Sequence, residues 1–237
     1  MELTLNTIDL EKIYRLGTDI LTKLTKNTDW DYIFICPNGI KATDSYRLGF
    51  YKGVYGSEEV PIPKNVVKML KTIKAKIVKF KKNDNKLELE CLSGDNKTLI
   101  ISTDIPTSTK AKFEFIENQL ENYYKCLTVN SGELKRILKA ALEKSTICAF
   151  SFNEKLTKVI IYDKNKRECG EEILKTAVST HSTKILLDPR FLFDYVKKME
   201  DDVPVKIYYE NSSCFIYGRE CENAYGYVLM PIALRGE

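Results

Sequence analysis

The sequence predicts an α+β fold built from two copies of one unit, each with two short helices packed on antiparallel sheets. Three observations carry this. A strand-then-helix segment near the start recurs 124 residues later. A second helical segment recurs at almost the same offset, 126 residues, in the same order. After each second helix comes a run of alternating strands. The helices are too few to cross over between every pair of strands, so the sheets are antiparallel. The alternative is a single irregular α+β domain.

Residues 3–13, LTLNTIDLEKI, align with 127–137, LTVNSGELKRI. Leu3/Leu127, Thr4/Thr128, Asn6/Asn130, Leu10/Leu134 and Ile13/Ile137 are identical. In both, a short alternating strand stops at an asparagine suited to N-cap a helix. An acid three residues on, Asp9 or Glu133, fits a capping box. The helices predicted here span 8–26 and 131–144. The second pair is IPKNVVKMLKTI at 62–73 and DPRFLFDYVKKM at 188–199. Pro63 and Pro189 suit the first helical position. Val66, Val67, Leu70 and Ile73 match Leu192, Phe193, Val196 and Met199 as one apolar stripe at helical spacing. These helices are predicted over 64–76 and 189–202. The strand runs that follow are KIVKFKK, KLELECL and TLIIST in the first copy, and PVKIYYE, SCFIYG and AYGYVLMPI in the second. The domains are accordingly expected at 1–124 and 125–237.

The 237 residues are 43% hydrophobic and 30% charged, a globular composition with material for a core. No apolar run reaches the roughly 18–20 residues of a membrane span. The N-terminus, MELTLNTIDLEK, lacks the pattern of a secretory signal. Seven cysteines, an odd number without a CxxC pair, argue against a disulfide framework or a zinc site. Most lie in apolar runs, such as ICAFSF around Cys148, and read as small buried hydrophobes of a reduced, cytoplasmic protein.

The net charge of +4 is too small to name a partner, but it is unevenly distributed. The four predicted helices carry 16 basic and 9 acidic residues, a sum of +7, which leaves −3 elsewhere. Lys64, Lys68 and Lys71 share one helical face opposite Val66 and Leu70. Lys135, Arg136 and Lys139 flank the stripe Leu134/Ile137/Leu138/Ala141. The fourth helix is weaker, with Arg190, Lys197 and Lys198 set against Asp194, Glu200, Asp201 and Asp202. Such faces are either simply solvated or bind phosphates without reading sequence. No pattern for base edges and no RNA-binding aromatic motif occurs, so the expected nucleic acid is duplex, contacted on its backbone.

Catalytic patterns are missing. The one histidine, His181, sits in the polar stretch STHSTK. GSEEVPIPK is no phosphate loop. There is no G-x-S-x-G elbow and no H-E-x-x-H pair. Asp44 has no second acid paired with it by spacing. The expectation is a protein that is not an enzyme and holds no cofactor or metal.

Four segments carry a resemblance to a family. GIKATDSYRLGF at 39–50 looks like G-x-x-x-A-T-D-G-H-R-L-A. FIENQLENYYKCLTV at 115–129 is similar to I-x-G-x-F-P-D-Y-x-x-V-[IL]-P. LLDPRFLFDYVKKM at 186–199 resembles N-x-R-Y-L-x-D-A-L, and AYGYVLMPIAL at 224–234 looks like Y-V-x-M-P-M-R-L. In this order they resemble the middle and last domains of the bacterial DNA polymerase III beta subunit, the sliding clamp. The chain departs from the pattern at Ser45-Tyr46 in place of Gly-His, at Glu121 in place of Pro, and at Ala233 in place of Arg.

The resemblance implies a DNA clamp fold, with domains that close a ring around double-stranded DNA, helices inside and sheets outside. It implies a processivity factor that tethers a DNA polymerase through a peptide pocket between domains, which also takes clamp-loader motifs. The pocket expected by position includes Thr43, Tyr46, Arg47 and Leu48, then Lys125 and Cys126, then Val228, Met230, Pro231 and Ile232. The DNA-facing set expected from the helices is Lys12, Arg15, Lys23, Lys64, Lys68, Lys71, Lys135, Arg136, Lys139, Arg190, Lys197 and Lys198. The family's clamps have three such domains and dimerise to six, so two-domain subunits need a homotrimer to reach six. A clamp-fold adaptor or decoy that binds clamp partners without encircling DNA is the other reading.

Overall fold

The computed structural model describes residues 2–21, 31–44, 46–93, 97–105, 125–144, 147–152, 156–163, 165, 167–179, 181–210, 213–215 and 225–229. The chain divides into two units, Met1–Lys112 and Phe113–Glu237.

Unit 1 begins with β1 (Glu2–Leu5), which runs into α1 (Thr7–Asp19). Then come β2 (Tyr32–Cys36), β3 (Gly39–Thr43), β4 (Arg47–Lys52) and β5 (Val60–Pro63). Helix α2 (Lys64–Thr72) and strands β6 (Ile77–Asn83), β7 (Lys86–Leu92) and β8 (Thr98–Asp104) complete it. β1, β6, β7 and β8 form one antiparallel sheet in that order. In the other sheet β4, β3, β2 and β5 are hydrogen-bonded in that order, again antiparallel. β6 and β7 alternate strictly, with Val78, Phe80, Leu87, Leu89 and Cys91 buried and the lysines and glutamates between them exposed. α1 presses Leu10, Ile13 and Leu16 into the core and lies beside α2, whose Val66, Val67 and Leu70 are buried. Gly49 lets β4 approach α1. A Cβ there would come within 2.7 Å of the Leu16 side chain.

Unit 2 repeats the plan. β9 (Lys125–Asn130) leads into α3 (Ser131–Lys144). β10 (Ile147–Phe152), β11 (Thr157–Tyr162), β12 (Glu168–Leu174), β13 (Val178–Ser179) and β14 (Thr183–Leu187) follow. α4 (Pro189–Val196), β15 (Pro204–Glu210), β16 (Ser213–Phe215) and β17 (Tyr225–Leu229) end it. One sheet has the order β13-β9-β15-β16 and the other β12-β11-β10-β14. The repeat extends to register: Leu5 faces Val78 in unit 1, and its counterpart Val129 faces Val205 in unit 2. The expected α+β architecture of helix pairs on antiparallel sheets is therefore the observed one.

The predicted helix starts hold, as does the end of α3 at Lys144, but α2 and α4 end early, and Pro63 is the N-cap of α2 rather than its first residue. Asn6 caps α1, its side chain accepting from the Asp9 amide at 3.1 Å. Asn130 accepts from the amides of Gly132 at 2.9 Å and Glu133 at 3.4 Å. The expected capping box does not close, because both acids are drawn elsewhere. Asp9 accepts from Tyr55, and Glu133 accepts from the amides of Lys175 and Thr176. α2 stops at Thr72 rather than 76, because Lys74 takes a left-handed φ of 51° and the Ala75 amide reaches back to the Leu70 carbonyl at 3.1 Å. α4 stops at Val196 rather than 202. The carbonyls beyond it are taken by α3: Gly132 donates to Asp201 and Ser131 to Val203. Of the helix expected at 8–26, residues 22–26 lie outside the described residues.

Among the described cysteines, Cys36, Cys91 and Cys148 are buried, as their apolar settings suggested, but Cys169 is exposed on β12 and Cys126 is half-buried. Burial pushes the Cys91 thiol up to about 11. No described helix is long and apolar enough to cross a membrane.

Candidate functional site

Three sets of expected site residues fall on described parts of the molecule: the basic residues of the helices, the hairpin that joins β3 to β4, and Lys125, Cys126 and Val228 on strands β9 and β17.

The helical bases are not equivalent. On α1, Lys12 lies 3.2 Å from Asp9 and also donates to the Tyr55 hydroxyl, which in turn donates to Asp9 at 2.8 Å. Burial disfavours the Lys12 ammonium, but its hydrogen bonds to Tyr55 and Asp9 outweigh that and hold its pKa above the ordinary lysine value. Arg15 lies 3.6 Å from Asp19. On α2, Lys64 lies 3.4 Å from Asp31. Lys68 and Lys71 are exposed, and among the described residues neither meets a carboxylate. With Lys64 they line a groove of about 400 Å³ between α2 and α1, whose other walls include Thr18 and Val67.

On α3, Lys135 donates to the Met199 carbonyl and to Asp201 at 2.8 Å. Arg136 lies 3.5 Å from Glu172, and Lys139 is exposed. Glu133 is held below the ordinary carboxylate range: burial raises its pKa, but hydrogen bonds from the Thr176 hydroxyl and the Thr176 and Lys175 amides outweigh that. On α4, Arg190 forks onto Asp188, the N-cap, at 2.5–3.1 Å, and Lys197 lies 2.5 Å from Asp194. Lys198 is exposed. Lys23 lies outside the described residues.

The β3–β4 turn is organised by Asp44. Its Oδ1 accepts from the amides of Tyr46 at 3.1 Å and Arg47 at 3.0 Å, an Asx-type turn. Its Oδ2 accepts from Arg47 Nε at 2.7 Å. Both partners are buried, with side-chain exposures of 3% for Asp44 and 0% for Arg47. The Thr43 hydroxyl donates to the Arg47 carbonyl at 2.9 Å and closes the turn. Tyr46 is left at the tip, 57% exposed, while Leu48 is buried. Arg47, expected at a pocket, is buried against Asp44. Asp44, which sequence reasoning set aside for want of a second acid, is its counter-ion. The signal was present in D-x-x-R, though such spacing is common in polar turns.

In unit 2, Lys125 and Cys126 lie half-buried on β9, and Val228 is buried in β17. Met230, Pro231 and Ile232 lie outside the described residues. Tyr195 stacks on Tyr227 with ring centroids 4.8 Å apart, and the Tyr227 hydroxyl donates to the Phe191 carbonyl at 3.0 Å. His181 takes part through its backbone: its carbonyl accepts from the hydroxyls of Ser179 and Tyr209.

No family model matches the sequence, and no curated protein does. Solved structures match by fold. A DNA polymerase sliding clamp from Pseudomonas aeruginosa aligns with 99% of this chain and 67% of its own, with a TM-score of 0.75 and 13% identity. DNA polymerase III subunit beta from Borrelia burgdorferi aligns with 99% of this chain and 64% of its own, with a TM-score of 0.75 and 16% identity. The beta clamp of Helicobacter pylori aligns with 98% and 67%, with a TM-score of 0.75 and 12% identity. The chain spans about two thirds of the length of these clamps and has their fold, the one its sequence resemblance implies.

Proposed function

We propose, starting from the sliding-clamp fold, that the chain is a processivity factor: it encircles duplex DNA and tethers a DNA polymerase, and it makes and breaks no bond. The observation that supports this most is the pairing of that fold with an exposed lysine face, Lys68 and Lys71 on α2, that no carboxylate neutralises among the described residues. Lysines of this kind bind phosphates without regard to sequence, with dissociation constants on the order of 10⁻⁴–10⁻⁶ M at physiological salt. Contacts so weak allow sliding. Retention comes from threading, and a polymerase held on a threaded ring gains effective concentration at its template. Two units per chain make six in a homotrimer, closed by head-to-tail contact. The polymerase and the clamp loader dock through short peptides. The exposed Tyr46 at the β3–β4 tip stands where the resembling segment has histidine, and we assign it a share of peptide recognition.

Threading has a direct test. Protein loaded on nicked circular DNA should stay bound through gel filtration and be lost within minutes once the circle is cut. Equal retention on circular and linear DNA would sink the ring. Peptide binding without any retention on DNA would favour a clamp-fold adaptor.

A further inference from the structure

We propose that the duplex is held unequally by the two units: α2 of unit 1 grips the phosphate backbone through Lys68 and Lys71, and its counterpart α4 of unit 2 does not. This rests on the sliding-clamp reading and names which residues in it do the holding.

The two helices correspond position by position through the offset of 126. Lys64 falls on Arg190, Lys68 on Asp194 and Lys71 on Lys197. The lysine at the middle of the α2 face is therefore an aspartate on α4. That aspartate lies 2.5 Å from Lys197, the counterpart of Lys71. One substitution removes a cation and occupies a second. Arg190 is occupied as well, forked onto Asp188. Downstream, residues 189–202 carry four acids against three bases, whereas residues 64–76 carry five bases and no acid.

Lys68 and Lys71 lie three residues apart on one exposed face, within reach of neighbouring phosphates. A cation with no protein partner holds small counter-ions that phosphate contact releases, and this release drives backbone binding. A cation already against a carboxylate has little to release and must first part from its partner. The remaining acids of the 189–202 segment repel phosphate. Unit 2 keeps Lys139 as an exposed lysine without a carboxylate partner among the described residues, so its share of the grip comes from α3.

The test is the salt dependence of binding to a short linear duplex between 50 and 200 mM salt. Each phosphate contact contributes about 0.9 to the log–log slope. K68D copies the α4 arrangement onto α2: it removes one contact and supplies a partner for Lys71. It should lower the slope by roughly 2 for each copy on the duplex. D194K makes the reverse change and should raise the slope. K71Q should lower it by about 1 per copy, and K197Q should leave it unchanged. All four positions are exposed or half-exposed, and circular dichroism melts check that the variants fold. If K68D or D194K leaves the slope at the parent's value, or if K197Q costs as much as K71Q, the partition is wrong and the clamp reading stands. An unmodified protein that binds no duplex overturns both.

Discussion

Asp44 does two jobs with one short side chain. One carboxylate oxygen shapes the β3–β4 turn by taking two backbone amides, and the other neutralises the buried Arg47. Asp44→Asn keeps an oxygen for the turn and removes the charge. The buried guanidinium then loses the carboxylate 2.7 Å from it, and breaking such a buried pair costs about 3–5 kcal/mol. A fall of that size in urea-denaturation stability is the expected outcome. A change below about 1 kcal/mol would mean that Arg47 is not held in the low-dielectric setting described here. The residue level is where the sequence was least legible. Whether a D-x-x-R pair is a solvated turn or a buried tie depends on what packs over it, and nothing within four residues carries that information. The same holds for the lysines. Lys68 and Lys135 look alike in sequence, yet Lys68 meets no carboxylate among the described residues and Lys135 is tied to Asp201 and the Met199 carbonyl, more than sixty residues away.

At the scale of elements, helix beginnings were legible, whereas of the ends only that of α3 was, at Lys144, and those of α2 and α4 were not. A beginning is set locally, by an asparagine that satisfies orphan amides or by a proline that lacks one. Asn6→Ala and Asn130→Ala should each cost about 1 kcal/mol. The two asparagines serve separate units and share no bonding partner, so the double variant should show the sum, read from chemical denaturation. An end is set by where the chain must go next. α2 ends when Lys74 turns left-handed, and α4 ends where α3's first amides capture the carbonyls of 201 and 203. Neither cause lies in the helical segment itself. Strands were legible where burial is one-sided, as in β6 and β7, because alternation is then obligatory. β13, with only two residues, gave no period to read.

For the whole molecule, the repeat was the informative signal. It fixed the number of units and their internal order before any contact was known, because two copies of one plan must put matching segments in matching places. What it could not fix was assembly. If three copies close a ring, mass photometry should show a species near 82 kDa, three times the 27.3 kDa chain. A single species at 27.3 kDa at micromolar concentration would leave the proposed ring without its six units.

The shared register of the two units has a further consequence, for how the chain reaches its fold. β1 and β9 are near copies, LTLN and LTVN, and each closes on a strand with the same pairing, Leu5 on Val78 and Val129 on Val205. The two slots differ in one respect: among the described residues β1 is an edge strand, while β9 is paired on both sides, by β13 and β15. During synthesis β6 emerges before β9 exists, so β1 is the copy at hand when β6 takes its partner. A chain returning from denaturant has no such order. Mispaired first strands then compete with native ones, and the duplication that makes the architecture easy to read makes it easy to mis-thread.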